Sequence, residues 1–246
     1  MATATAVPGE APLSQAQRII NVFVAPSKTF NDIRRSASWW AAWLLMAVVS
    51  FGFVTTAAQK VGWDDIQMNQ MKMNPKQMER LEKAPPEQRE RQLRIGMTVT
   101  KGISYLFPLV QLVVLTIIAL LMMATMNFGA SAQAKFGQCL AVTMYAALPG
   151  LVKILLAIVF LFLGIGIEGF TFQNPIATNP GVFAQVGTPL YALLSAFDIF
   201  TFWTLILAGI GFACISGLKR STTTAMVFGW WAFGTLIGVG MAALFS

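Results

Sequence analysis

Two ionisable side chains stand inside apolar runs of this sequence: Lys153, in a stretch from Gly137 to Gly166, and Asp198, in one from about Thr188 to Ile215. A charge in hydrocarbon is costly unless it is paired or faces water, so these residues are the first candidates for chemistry. At a rise of 1.5 Å per helical residue, Asp198 lies roughly 15 Å and Lys153 roughly 20 Å from the same-side ends of their helices, a difference that a lysine stem spans. Asp198 shares a helical face with Tyr191, Ser195 and Thr201. That stripe, beside a helix broken at Pro149-Gly150 with free backbone groups, fits an ion or substrate pathway. A structural ion pair between packed helices, or a Lys153 that reaches to the interface, fits the same residues and is the plainer reading.

A second candidate is the methionine run Met68, Met71 and Met73, with Met78 beyond it. Thioethers suit copper(I), which makes the run a weak metal candidate. No histidine exists in the chain and no cysteine lies near the run, so methionines packing a helical hairpin are the favoured explanation. The missing histidine removes the commonest general base and the commonest metal ligand together. A phosphate-binding glycine loop, a Ser-x-x-Lys pair and a metalloprotease motif are also missing, so neither enzymatic activity nor a cofactor is expected. Cys139 and Cys214 both fall in apolar runs and read as reduced core thiols.

The elements that must position these groups follow from hydropathy. Of 246 residues, 56% are hydrophobic and 11% charged, whereas a soluble domain carries about 25% charge. The chain therefore reads as an all-α, polytopic integral membrane protein. Residues 1–13 are small and nearly uncharged and read as a disordered tail. Residues 14–36 form two short amphipathic helices: Ile19, Ile20, Phe23 and Val24 lie opposite Gln17 and Asn21, then Phe30 and Ile33 opposite Lys28, Asp32 and Arg34. They end in Arg34-Arg35 and Trp39-Trp40, an interfacial flank of cations and aromatics to which Arg18 also belongs. Soluble-side packing helices are the alternative. Five spans follow, at 39–57, 98–126, 137–166, 188–215 and 225–245, with a charged helical hairpin over 61–97 between the first two. In the hairpin Glu79 with Lys83, Glu87 with Arg91, and Glu90 with Arg94 are acid-before-base pairs four residues apart. Gly164 with Gly166, Gly209 with Ala213, and Gly234 with Gly238 read as helix contact faces, within the chain or between copies. Trp230 and Trp231 lie too deep for an aromatic belt and are expected to fill the bundle or meet a partner.

The net charge of +7 comes from basic residues beside the apolar runs, which points to topology and anionic lipid rather than nucleic acid. Arg18, Lys28, Arg34 and Arg35 precede the first span, Lys135 links the second to the third, and Lys219-Arg220 link the fourth to the fifth. The Asn- and Pro-rich segment 167–187 has no lysine or arginine. This asymmetry places the N-terminus in the cytoplasm and the C-terminus outside. The 61–97 hairpin is the exception, because it would lie outside with many cations nearly offset by acids.

Arg18-Ile19 with Phe23 and Pro26, Thr29-Phe30 with Ile33, Trp39-Trp40, and Tyr145-Ala146-Ala147-Leu148-Pro149 occur in this order along the chain. Together with five spans they resemble the Yip (Ypt-interacting protein) domain family, in its prokaryotic form. Pro108 stands where eukaryotic members show Asp-Leu-x-Gly-Pro, but the acid and the glycine are not there. The resemblance implies a multi-pass scaffold or adaptor in a bacterial inner membrane, with lipid, copies of itself or other membrane proteins as partners. The lost motif weighs against a GTPase partner. A small transporter or channel built on Lys153 and Asp198 is the alternative function.

Overall fold

The computed structural model describes residues 11–245, so most of the expected 1–13 tail lies outside the described residues. The described residues form eleven α-helices and one 3₁₀ turn, with no strand among them. Five segments are long and apolar enough to cross a membrane: Trp40–Lys60, Pro86–Ala130, Phe136–Phe162, Ile199–Ser216 and Arg220–Leu244. The chain is an all-α, multi-pass membrane protein.

In chain order the helices are α1 (Gln15–Val24), α2 (Pro26–Arg35), α3 (Trp40–Lys60), α4 (Trp63–Lys72), α5 (Pro75–Lys83), α6 (Pro86–Ala130), α7 (Phe136–Ala146), α8 (Leu148–Phe162), α9 (Pro189–Ser195), α10 (Ile199–Ser216) and α11 (Arg220–Phe245). Local chemistry sets most boundaries. Ser14 and Gln17 form a reciprocal capping box at the start of α1. Pro26 occupies the first position of α2, where its missing N–H costs nothing. The Asn74 side chain accepts from the Gln77 N–H at 3.1 Å and opens α5.

The 61–97 segment folds as α4, α5 and the first turns of α6, and α6 then runs without interruption for 45 residues through the second apolar stretch. Among the three acid-before-base pairs expected there, Glu79 and Lys83 form an ion pair in the described structure. Lys83 holds the Glu79 carboxyl below its usual value by hydrogen bond and charge. Arg89 instead closes the preceding helix, donating to the carbonyls of Leu81 at 3.2 Å and Glu82 at 2.7 Å.

Two boundaries differ from the sequence expectation. The third apolar stretch ends at Phe162, and Gly164 and Gly166 both adopt φ +75°, in the left-handed region. They terminate the helix and turn the chain instead of forming a contact face. The fourth stretch is not one helix over 188–215: α9 stops at Ser195 and α10 begins at Ile199. Asp198 causes the break, because its Oδ1 accepts from the N–H groups of Phe200 at 3.0 Å and Thr201 at 3.3 Å and so caps α10.

The residues fall into two compact units. One comprises residues up to Leu45, with Gln111–Leu148 and Trp203–Trp230. Its buried side chains include Val22, Phe30, Ile33, Leu140, Met144 and Phe212. Here α10 approaches α11 and α7 closely: a Cβ on Gly209 would stand 2.5 Å from Thr224 Oγ1, and one on Gly211 would stand 2.6 Å from Val142 Cγ1 and 3.0 Å from the Phe30 ring. Thr223 Oγ1 donates to the Gly209 carbonyl at 2.7 Å across the same approach. Trp230 Nε1 donates to Thr125 Oγ1 at 3.0 Å.

The second unit comprises Met46–Val110, Pro149–Phe202 and the residues from Trp231 onward. Its core gathers Phe53, Ala57 and Val61 of α3, Ile66 of α4, Ala157 and Leu161 of α8, and Phe170 and Ile176 of the segment after α8. Phe53, Phe170 and Phe172 form a mutual aromatic cluster with ring centroids 5.4 to 5.9 Å apart. Segment 167–187 is thus anchored by its own apolar residues. Trp231 packs edge-on against Phe197 at 5.5 Å and lies 5.4 Å from the Phe202 ring. A Cβ on Gly234 or Gly238 would meet nothing within 4 Å, so these glycines are not a packing face inside the described chain.

Candidate functional site

In the first unit the short helices α1 and α2 fold back on each other at Pro26 and bury a polar joint between them. Arg18 Nε donates to Asp32 Oδ2 at 2.7 Å, and the two side chains are 2% and 7% exposed. The backbone around the pair is satisfied as well: Thr29 Oγ1 donates to the Arg18 carbonyl at 3.1 Å, and the Leu13 N–H donates to Asp32 Oδ1 at 3.3 Å. Arg18 therefore corrects the sequence expectation: it is an internal fastener and not an interfacial anchor. Asp32 lies on the buried side of α2 rather than on its polar face.

The same joint reaches α7. Tyr145 is fully buried, and its hydroxyl donates to Gln15 Oε1 at 2.7 Å. Gln138 Nε2 donates to the Arg34 carbonyl at 2.9 Å, and Phe30 and Ile33 are fully buried below. Arg34 and Arg35 are exposed, Trp40 is 55% exposed, and the Trp39 ring meets the Trp43 ring at 6.5 Å. Val24 and Ile20 are also left exposed, at 74% and 62%. The hairpin thus buries one apolar face and leaves an apolar edge beside its cations.

The Tyr145-to-Pro149 run is where α7 gives way to α8. Proline at position 149 has no N–H for the carbonyl of Tyr145, and Ala147 forms the joint between the helices. Pro108, by contrast, sits inside the unbroken α6.

In the second unit Lys153 Nζ lies 2.8 Å from Asp198 Oδ2. Thr178 Oγ1 also donates to that oxygen, and Asn179 Nδ2 makes a longer contact at 3.5 Å. Asn179 Nδ2 further donates to Asn174 Oδ1 at 2.8 Å, and Asn174 Nδ2 reaches the Tyr191 hydroxyl at 3.4 Å. Asp198 is 3% exposed, and its two oxygens face an ammonium, a hydroxyl, an amide and two helix N–H groups. This carboxylate fastens α8, α10 and segment 167–187 to one another. The break in the fourth stretch takes Tyr191 and Ser195 off the helix that carries Thr201, so the polar stripe is not one helical face. Thr201 contributes its backbone N–H, while Ser195 Oγ is enclosed without a hydrogen-bond partner among the described residues.

The methionine run lies on α4, with Met73 at its C-terminal cap. Met71 is buried at 5% exposure and Met68 and Met73 are half-buried, and no group of three or more His, Cys, Asp or Glu suited to a metal occurs among the described residues. Cys139 and Cys214 are unbridged.

Comparison with known sequences bears on the joint in the first unit, since its residues carried the resemblance. The model of the Yip1 domain matches residues 20–242. The chain belongs to the Yip1 domain family. Neither the curated proteins nor the solved structures contain a match to it. Within this Yip1 domain, Thr29 and Tyr145 both hydrogen-bond to α1, at the Arg18 carbonyl and the Gln15 side chain, although they are 116 positions apart in the sequence.

Sequence reasoning missed Gln15, Asp32, Thr178 and Asn179. Asp32 was legible in principle, as an acid 14 residues from Arg18 with a helix break at Pro26 between them. Thr178 and Asn179 lie in a segment whose composition signals only a loop.

Proposed function

We propose that this protein is a non-enzymatic membrane scaffold or adaptor of Yip type, which presents the α1–α2 hairpin to a partner or to the surface of a bacterial inner membrane. The observation that carries this reading is the hairpin itself: a buried ion pair holds it in place while Ile20, Val24, Arg34 and Arg35 remain exposed. Cations beside exposed apolar side chains suit an anionic lipid surface or an acidic partner segment. The lysine and arginine distribution supports a cytoplasmic hairpin and an external C-terminus. Copies of the chain and other membrane proteins are the partners this reading admits. The Asp-Leu-x-Gly-Pro pattern is not intact around Pro108, which disfavours a GTPase.

The transporter reading needs Lys153 or Asp198 to meet water or a substrate. The hydrogen bonds around Asp198 already occupy both of its oxygens, which favours a structural role.

The test replaces Arg34 and Arg35 together by Ala and measures crosslinked partners in native membranes and flotation with anionic vesicles. Each exposed cation near an anionic surface is worth about 1 kcal/mol, so the double change is expected to weaken association roughly 30-fold. Unchanged crosslinking and flotation would remove the basis for the adaptor reading.

A further inference from the structure

The second unit contains a cavity that none of the assignments above uses. It lies among α3, α4, α6, α8 and the aromatic segment after α8, and has a volume of about 540 Å³. Well-packed interiors hold few voids larger than a water molecule, whereas ligand sites run from about 300 to 1,000 Å³. Its walls divide by chemistry. Phe53, Val54, Phe107, Val110 and Ile154 supply an apolar part, and Gln70, Thr100, Ser104 and Gln173 supply a polar part.

All of the lining side chains are uncharged. The lysines beside lining residues are engaged elsewhere: Lys101 Nζ stands 5.5 Å over the Trp63 ring, Lys72 Nζ donates to Asn69 Oδ1 at 3.3 Å, and Lys153 Nζ is paired with Asp198. The polar groups are only partly used by one another. Gln70 Nε2 donates to Gln173 Oε1 at 2.8 Å, and Thr100 Oγ1 donates to Gln67 Oε1 at 2.5 Å. Ser104 is 7% exposed and lines the cavity. Four residues further along α6, Pro108 has no N–H to give to the Ser104 carbonyl. Ser104 therefore brings to the wall a hydroxyl and a carbonyl without its helical donor. A buried carbonyl in that condition is open to a further donor.

The rim indicates where such a partner comes from. Ile103 and Phe107 line the cavity and are 56% and 46% exposed, within a span whose outer face is apolar. The apolar part therefore opens toward hydrocarbon, while the exposed Gln173 opens the polar part at its other end. Thr100 and Val110 are ten residues apart on α6, so the cavity extends about 15 Å along the helix. Its polar part lies toward the charged start of α6, where lipid head groups begin.

We infer that this cavity is a binding site for a neutral, hydroxyl-bearing, single-chain lipid of the bilayer. Its oxygen-rich head bonds Ser104 and the Gln70–Gln173 pair, and its chain lies against Phe53, Val110 and Ile154. A phosphate-bearing lipid is disfavoured, because the polar part offers no cation.

The experiment uses the full chain in nanodiscs and two photoactivatable diazirine probes with the same acyl chain, a monoacylglycerol and the corresponding alkyl phosphate. The monoacylglycerol probe is expected to label peptides from α3 and α6 saturably, with competition by unlabelled monoacylglycerol, and the phosphate probe to label them weakly and without saturation. Ser104→Ala removes one neutral hydrogen bond and is expected to weaken the competed labelling about fivefold. Ile154→Trp fills the apolar part and is expected to abolish it, with thermal unfolding showing that the variant still folds. If the tryptophan variant unfolds, Ser104→Ala decides alone. Labelling that does not saturate, that is equal for the phosphate probe, or that is unchanged by Ser104→Ala would overturn the inference.

Discussion

Arg18 and Asp32 form the most enclosed ion pair in the described structure, and enclosure is what gives the pair its leverage. Two charges taken out of water gain little over an apolar pair of the same shape, but removing one partner leaves the other stranded. Asp32→Asn is therefore expected to lower the stability of the first unit by about 3 to 5 kcal/mol. Replacing both residues, as Arg18→Met with Asp32→Leu, is expected to recover most of that loss. Thermal unfolding of the purified protein in detergent checks both outcomes. An Asp32→Asn variant as stable as the parent would mean that the pair contributes nothing beyond packing. At this scale the sequence was partly legible. Lys153 and Asp198 stood out because charge is conspicuous among apolar neighbours, and the structure brings them together. Arg18 and Asp32 did not stand out, because on a short amphipathic helix any charge looks like part of the wet face.

Among the elements, the apolar stretches were legible because a membrane imposes a length and a composition. Their interruptions were not. Asp198 breaks the fourth stretch without glycine or proline, and only the pair of N–H groups that its side chain accepts from reveals it as a cap. Glycines were ambiguous for a related reason: a small residue marks close approach, a turn or nothing, depending on the neighbour. Gly211 faces Val142 and Phe30 at distances that a methyl group cannot share, whereas Gly238 faces open space. Gly211→Ala is accordingly expected to destabilise the protein by about 1 to 3 kcal/mol through overpacking. Gly238→Ala is expected to be neutral, or stabilising by up to about 1 kcal/mol through helix propensity. Unfolding midpoints of the two single variants test the contrast, which fails if they shift in the same direction.

For the whole molecule, membership of the Yip1 domain family establishes what kind of protein this is, and water access separates the adaptor from the transporter. A single cysteine at Thr201, in a chain with Cys139 and Cys214 changed to Ala, probes the start of α10 without disturbing the Asp198 side chain. It is expected to resist a membrane-impermeant maleimide from both sides. A cysteine at the exposed Ala177 should react, and only in intact cells if segment 167–187 faces outward. Labelling at Thr201 would put the transporter reading ahead.

The Lys153–Asp198 fastening also has a consequence for biogenesis. Lys153 precedes its partner by 45 residues, so during synthesis α8 emerges before the aspartate that neutralises its lysine. For that interval α8 carries an uncompensated ammonium, which is costly in hydrocarbon. Chains truncated before residue 198 are therefore expected to keep an unpaired ammonium on an apolar helix, and to turn over faster in cells than chains that include α10.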